Sequence, residues 1–393
     1  MAEAKTDHNA PPRFEELLAR AEGLIAVLRE RAPRAEALRR LPDETIADLR
    51  SSGLFRMLQP ARVGGSELPF RALFELTAVI GQGCGSTAWV LANLAAHHWL
   101  LGMWHPEAQD EIWGGSPDSL ISSALIFPRG RARRVEGGYR LSGRWPFSSG
   151  VDYSTWNMFG AVVSDEETGQ SEPRMFLVPA SDYTVIDTWQ VIGLAGTGSK
   201  TFEIKEAFVP AHRILDKKAA DEGNAPGAKL YAAPCFHLPR GGPSIASFAA
   251  VTVGIAEGCL EEYYNYTRPR KSRGTPVAAL AGTQITAATA AAEIEAAVRM
   301  YLGVLREAMG ILERGEPFTK DHQVQGKRNM AYAAMLSIHA VQRLYNDAGG
   351  RVLYADNELQ RKFRDAHAAA AHHSLNWHTA AEEYGRHVLG VDE

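Results

Sequence analysis

The stretch Ser142-Gly-Arg-Trp-Pro-Phe-Ser-Ser-Gly150 decides the architecture, because it lies in a short β-rich middle set between two helical ends. Just before it, Val135-Glu-Gly-Gly-Tyr139 reads as a hairpin. Its paired glycines supply the positive φ of a tight turn, and Tyr139 and Leu141 alternate with polar residues. After it, Asn157–Val163, Arg174–Val178, Thr184–Trp189 and Thr201–Phe208 are short runs rich in β-branched and aromatic residues. Turn signals at Ser164–Pro173, Gly193–Ser199 and Pro210 separate them. Strands this short and this closely spaced predict a small barrel or sandwich rather than a βαβ sheet.

Toward the N-terminus the period changes from two to about 3.6. Phe14, Leu17, Leu18, Ala21, Leu24, Ile25 and Leu28 recur at helical spacing. A second helix is expected from Pro42-Asp43-Glu44 to Gly53, and two more over Phe70–Ile80 and Ser86–Leu101. Beyond Pro243, Ile245–Arg268, Ile285–Arg314, Lys327–Ala348 and Leu359–Arg386 are long helical windows, rich in alanine and poor in proline. Four such helices on short loops predict a bundle. The expected organisation is an N-terminal all-α domain over 1–120, a central β domain over 121–235 and a four-helix bundle over 236–393.

Composition narrows the function classes. A net charge of -4 over 393 residues argues for no nucleic-acid or anionic-membrane partner. The cluster Arg129, Arg131, Arg133, Arg134 reads as a solvated loop. Cys84, Cys235 and Cys259 are odd in number and lack C-x-x-C spacing, as expected of reduced, buried thiols in a cytoplasmic protein. Met1–Pro12 has no apolar core of a signal peptide, and the greasiest stretch, Ala88–Met103, holds Asn93, His97 and His98 and is too short for a bilayer. Neither a G-x-G-x-x-G nor a P-loop, H-E-x-x-H or G-x-S-x-G motif is present.

The α–β–α order, with its motifs, resembles the acyl-CoA dehydrogenase fold. Within that fold it is similar to the group D flavin monooxygenases, the oxygenase components of the 4-hydroxyphenylacetate 3-hydroxylase type. The resemblance is carried by Cys84-Gly-Ser-Thr-Ala-Trp-Val90 with His97-His98-Trp99, by Ser142–Gly150, by Gly196-Thr-Gly-Ser199 with Phe208-Val-Pro-Ala-His-Arg213, and by Leu359-Gln-Arg-Lys-Phe-Arg-Asp365 with His372. It implies reduced FMN or FAD delivered by a separate NAD(P)H:flavin reductase, dioxygen, a flavin C4a-hydroperoxide, and an aromatic substrate: phenolic, polycyclic or indole-like. Such chemistry requires a water-poor site, a donor near the flavin ring and a group that makes the substrate electron-rich.

The residues can be matched to those requirements. Ser148 and Ser149, with Trp145, would meet the flavin ring edge, Ser149 fitting the motif better; read without the resemblance they form an ordinary serine turn. Trp89, Asn93 and His97 repeat every fourth residue, so they share a helix face, whereas His98 points about 100° away. His97 would hydrogen-bond the peroxide or a phenolic oxygen, though a lone histidine here is more often a core residue. The resemblance selects His372, with His373 beside it, as base or polariser for the substrate. His367, His372, His373, His378 and His387 contain no i, i+4 pair, so no metal is expected. His378 departs from the family pattern, which often carries aspartate there. Thr197 and Ser199 lie in a small-residue loop that permits close backbone approach, and Gly349-Gly350 serves likewise or merely ends a helix. Arg268 and Arg270 either bind flavin phosphate, as the resemblance implies for a neighbouring subunit's flavin in a homotetramer or dimer, or complement a helix dipole. Three other readings compete: an acyl-CoA dehydrogenase, an N-oxygenase of an amine or amino sugar, and a non-catalytic helical binding protein.

Overall fold

The structure, a computed structural model, describes residues 11–164, 171–240 and 247–391. The segment Met1–Ala10, the middle of the turn expected over Ser164–Pro173 and the expected helix start at Ile245 lie outside the described residues. Helix α1 (Phe14–Leu38) buries Leu17, Ala21, Leu28, Ala32 and Ala35, the stripe that its periodicity predicts. Helix α2 (Asp43–Ser51) opens with two acidic residues against the helix dipole and stops before Gly53, which turns the chain at φ 80°. Helices α3 (Arg71–Gly83) and α4 (Gly85–Leu101) are separated by a single extended residue, Cys84. Helix α5 (Pro106–Gly115) leads into the sheet.

The strands are β1 (Ile121–Ala124), β2 (Gly130–Val135), β3 (Gly138–Ser148), β4 (Trp156–Ser164), β5 (Ser171–Pro179), β6 (Thr184–Ile186), β7 (Lys200–Pro210) and β8 (Ile214–Asp216). Their order is β6-β7-β3-β2-β4-β5-β8, with β1 also on β4. The sheet curls over one face. Strands β4 and β7 are three spacings apart in this order, about 14 Å in a flat sheet, yet the rings of Phe159 and Phe202 stand 5.0 Å apart. Tyr139 on β3 meets Phe176 on β5 across the same interior. This is the barrel-like middle that the short strands predicted.

The sheet differs from expectation in detail. Arg131, Arg133 and Arg134 lie on β2, not in a loop; Ala132 faces the interior between exposed arginines, so alternation rather than charge governs the segment. The run expected to Trp189 is a strand only to Ile186. Strand β1 went unread because its partner, β4, is parallel and 35 residues away.

After the short α6 (Lys217–Asp221) come α7 (Ser247–Thr267), α8 (Ala281–Glu313) and α9 (Lys320–Asp347). The window Leu359–Arg386 is not one helix but two, α10 (Glu358–Ala370) and α11 (Trp377–Val388). Local side-chain bonds win over continuation: Asn376 accepts the Thr379 N–H at 3.0 Å as a new N-cap, and His372 accepts the Ser374 N–H at 3.3 Å. Helices α3 and α7 cross in close contact. A Cβ on Gly254 would stand 2.1 Å from the Ala78 carbonyl oxygen, so only glycine permits this approach. All three cysteines are free and buried. No helix among the described residues is long and apolar enough to cross a membrane.

Candidate active site

Helix α4 is buried almost throughout its length; only Asn93 and Ala96 are partly exposed. A helix surrounded on every other side therefore opens along one face, the face that Trp89, Asn93 and His97 share. Trp89 is the hub. Its ring stacks on Phe248 from the first turn of α7 at 4.3 Å and meets the His372 ring edge-on at 5.7 Å. Phe248 and His372 are 4.3 Å apart, and His373 lies 4.4 Å beyond. The helix break that sequence periodicity missed is what brings His372 here. Asn93 donates to the Trp89 carbonyl at 2.8 Å.

The Trp89 indole N–H donates to Ser149 Oγ at 2.9 Å, tying α4 to the end of the β-strand motif. Ser149 in turn lies 2.7 Å from Ser199 Oγ, and Ser199 lies 2.7 Å from Thr197 Oγ1. Thr197 donates to the Leu194 carbonyl at 2.8 Å. Leu194 adopts φ 52°, and its N–H donates to Asp365 Oδ1 at 2.6 Å. Burial pushes the Asp365 carboxyl up to about 6 against the pull of Arg364 and Arg361. Ser148 is fully buried and differently placed: it receives Asn157 Nδ2 at 3.4 Å, and the same amide donates to Ser122 Oγ at 2.8 Å. Ser148 thus keeps its proton available, whereas Ser149 is engaged on both sides.

The two selected histidines carry opposite tautomers, assigned from their partners. His97 Nδ1 stands 2.6 Å from the Ile121 carbonyl, which can only accept, so the proton is on Nδ1 and Nε2 bears the lone pair. His372 Nδ1 accepts the Ser374 N–H, so its proton is on Nε2. Burial pulls His97 down to about 4 and, with His373 adding repulsion, His372 down to about 3. Both are neutral imidazoles across the physiological range. His98 points elsewhere: its Nδ1 accepts the Trp113 N–H at 3.2 Å. Among the described residues no group of three or more His, Cys, Asp or Glu side chains can hold a metal ion.

Comparison with known proteins bears directly on this arrangement. Residues 246–377 match the family described as acyl-CoA dehydrogenase, C-terminal domain. The oxygenase component of the FADH2-dependent resorcinol hydroxylase of Rhizobium sp. is 36% identical over 389 residues, which cover 96% of this chain and 94% of that protein. The chain belongs to the oxygenase components of the flavin-dependent monooxygenases. The crystal structure of the HsaA monooxygenase from M. tuberculosis superposes with a TM-score of 0.91 at 33% identity, covering 96% of this chain and 98% of that one. XiaF from Streptomyces sp., solved in complex with FADH2 and glycerol, gives 0.88 at 27% identity, covering 96% of each chain.

Not every residue expected at the site of this oxygenase offers its side chain there. The Trp145 indole is buried in the β core and donates to the Gly160 carbonyl at 2.8 Å, so it supports the sheet and has no donor left for a ligand. Thr197 and Ser199 are buried behind Ser149 and act through side-chain hydroxyls rather than through open backbone. Arg268 is exposed and bonds Asn265 at 3.1 Å. Arg270 and Gly349 are brought together, away from Trp89, with Gly350 next along the chain in open space. Arg270 packs over Tyr266 at 4.5 Å, its Nη1 is buried without a partner, and a Cβ on Gly349 would lie 3.2 Å from Nη2. An unpartnered guanidinium nitrogen beside a glycine at φ 78° fits an anionic phosphate. This cradle lies past the last turn of α7, whereas Phe248 is in its first; at 1.5 Å per residue, helix length alone separates them by about 28 Å.

Sequence reasoning did not single out Phe248, Ser122, Asn157, Leu194 or Asp365. Phe248 and Leu194 are unremarkable apolar residues in sequence. Asp365 follows the basic turn Arg361-Lys362-Phe363-Arg364, and its signal was a carboxylate at a helix position entering the alanine-rich run Ala366–Ala371. A buried acid in such a setting needs a partner.

Proposed function

We propose that this oxygenase takes reduced flavin, FMN or FAD, from a separate reductase and uses dioxygen to hydroxylate a phenolic aromatic substrate. The observation that carries the reading is a pair of neutral imidazoles, one accepting and one donating: His372 lies against the rings of Trp89 and Phe248, and His97 shares the helix face of Trp89. Reduced flavin, when bound, supplies the electrons that let one oxygen atom enter the substrate while the other leaves as water. Every other requirement falls to the chain's own residues.

His97 Nε2 accepts the substrate O–H. A phenol near pKa ~10 keeps its proton beside an imidazole at about 4, so His97 polarises that bond without removing the proton, and the ring becomes more electron-rich. His372 Nε2–H donates beside Trp89 and Phe248, which makes it a polariser rather than the resting-state base. Ser149 accepts at the flavin ring edge. Trp89 and Phe248 keep water from the reacting face. The Arg270–Gly349-Gly350 cradle is too far along α7 to hold the phosphate of a flavin seated beside Trp89 of the same chain. It serves a neighbouring protomer's flavin, and the active unit is a homo-oligomer, a dimer or tetramer.

The test is reconstitution with a flavin reductase, NADH, FMN or FAD, and simple phenols under labelled dioxygen. The expected product is a catechol or hydroquinone carrying one labelled oxygen. Hydrogen peroxide alone with every phenol, or N-oxygenated products from amines instead, would overturn the proposal.

A further inference from the structure

The hydroxyl chain behind Ser149 has a fixed direction. The Leu194 carbonyl can only accept, so the single Thr197 proton is spent there at 2.8 Å. Ser199, 2.7 Å from Thr197, must then donate to it. Ser149, 2.7 Å from Ser199, must donate in its turn. What remains on Ser149 Oγ is two lone pairs, one of which receives the Trp89 N–H at 2.9 Å. Toward any ligand Ser149 can therefore accept one hydrogen bond and donate none. The anchor of the chain is held from behind: Asp365 Oδ1 takes the Leu194 N–H at 2.6 Å, and Leu194 keeps φ 52°, a conformation a non-glycine residue rarely adopts unsupported. Gly193 lets this loop press onto α10, since a Cβ there would stand 2.4 Å from the Arg364 carbonyl oxygen. Ser149, Ser199 and Thr197 are all buried, so water does not randomise the direction.

We propose that Thr197, Ser199 and Asp365 are positioning residues that select the redox state of the flavin, by locking Ser149 as an acceptor. The proposal rests on the reading that the flavin ring edge meets Ser149. At that edge, N5 of reduced flavin carries a hydrogen and can donate, while N5 of oxidised flavin has only a lone pair. A locked acceptor pairs with the first and opposes the second, lone pair against lone pair. Oxidised flavin is thereby released and replaced by the reduced form. Electron transfer is not required of these residues; they act on binding alone.

The test is the ratio of dissociation constants for FMN and FMNH2, measured by equilibrium titration, the reduced form under anaerobic conditions. In Thr197→Val the Ser199 hydroxyl loses its acceptor and turns toward Ser149, whose proton is freed to donate. Oxidised FMN should then bind about fivefold to tenfold tighter and FMNH2 weaker by a similar factor, the worth of one hydrogen bond each. Thr197→Ser, which restores a hydroxyl, should keep the wild-type ratio, and Ser199→Ala, which frees the Ser149 proton without filling its second lone pair, should tighten oxidised FMN by a similar factor and leave FMNH2 little changed. A general loosening of the site would weaken both forms together and leave the ratio alone. Wild-type selectivity for FMNH2 that persists in folded Thr197→Val and Ser199→Ala overturns this inference and leaves the functional reading intact. A wild-type chain that binds neither form overturns both.

Discussion

Replacing Trp89 by phenylalanine removes one hydrogen-bond donor and keeps an aromatic ring, which separates the two things Trp89 does. The bond to Ser149 is 2.9 Å long and buried, so its loss should cost about 1 kcal/mol. The stack on Phe248 at 4.3 Å survives, with its own roughly 0.5–1.5 kcal/mol. Ser149→Ala leaves the indole N–H unsatisfied in a dry setting, about 1–3 kcal/mol, and Trp89→Ala removes the ring as well, about 3–5 kcal/mol. A double-mutant cycle on Trp89→Phe and Ser149→Ala, read by denaturant unfolding, should give a coupling of about 1 kcal/mol, because the second change has no bond left to break. Additivity within ~0.3 kcal/mol would mean that the bond is absent in solution, and the link between α4 and the β domain would have to be withdrawn.

Other consequences follow from the same geometry. His372→Ala should lower the yield of hydroxylated product on the order of a hundredfold while changing the rate of flavin oxidation much less; equal losses in both would refute a substrate-directed role. Arg270→Ala should weaken flavin binding by about tenfold and blunt its dependence on salt, with the Trp89 region unperturbed; unchanged affinity in titration would remove the phosphate cradle. Stability should fall as pH drops below the unfolded histidine value near 6.5 toward the folded values, about 4 for His97 and about 3 for His98 and His372, because the unfolded chain binds the protons that the buried imidazoles refuse. His97 and His98 together should cost roughly 4 kcal/mol at about pH 5. Asp365, raised to about 6, acts oppositely: the stability it lends below the unfolded carboxyl value near 3.8 is lost as pH rises to 6. One aspartate against three histidines leaves stability rising with pH, and denaturation midpoints equal at about pH 5 and about pH 7 would contradict this.

Local signals in the sequence foretold most of the fold. The apolar stripe of α1, the acidic start of α2 and the Gly137-Gly138 turn between β2 and β3 each depend on residues within one or two turns of chain. The shared face of Trp89, Asn93 and His97 was legible for the same reason. What escaped was decided at a distance. The apolar period of Leu359–Arg386 runs straight through His372, and only the competing caps of Asn376 and His372 break it. Ser149 draws its partners from 60 and 50 residues away, so nothing near it announces that its proton is already committed. Trp145 looked like a flavin contact because it sits in the motif, yet strand alternation turns it inward to the β core. Thr197 and Ser199 resembled a plain turn because their hydroxyl chain is completed by Ser149, 50 residues away on another segment.

The most direct measurement is stopped-flow mixing of the anaerobic reduced-flavin complex with dioxygen. The expected result is a transient absorbance distinct from both reduced and oxidised flavin, decaying faster when a phenol is present and yielding hydroxylated product. A direct, single-phase return to oxidised flavin, with or without phenol, would contradict it.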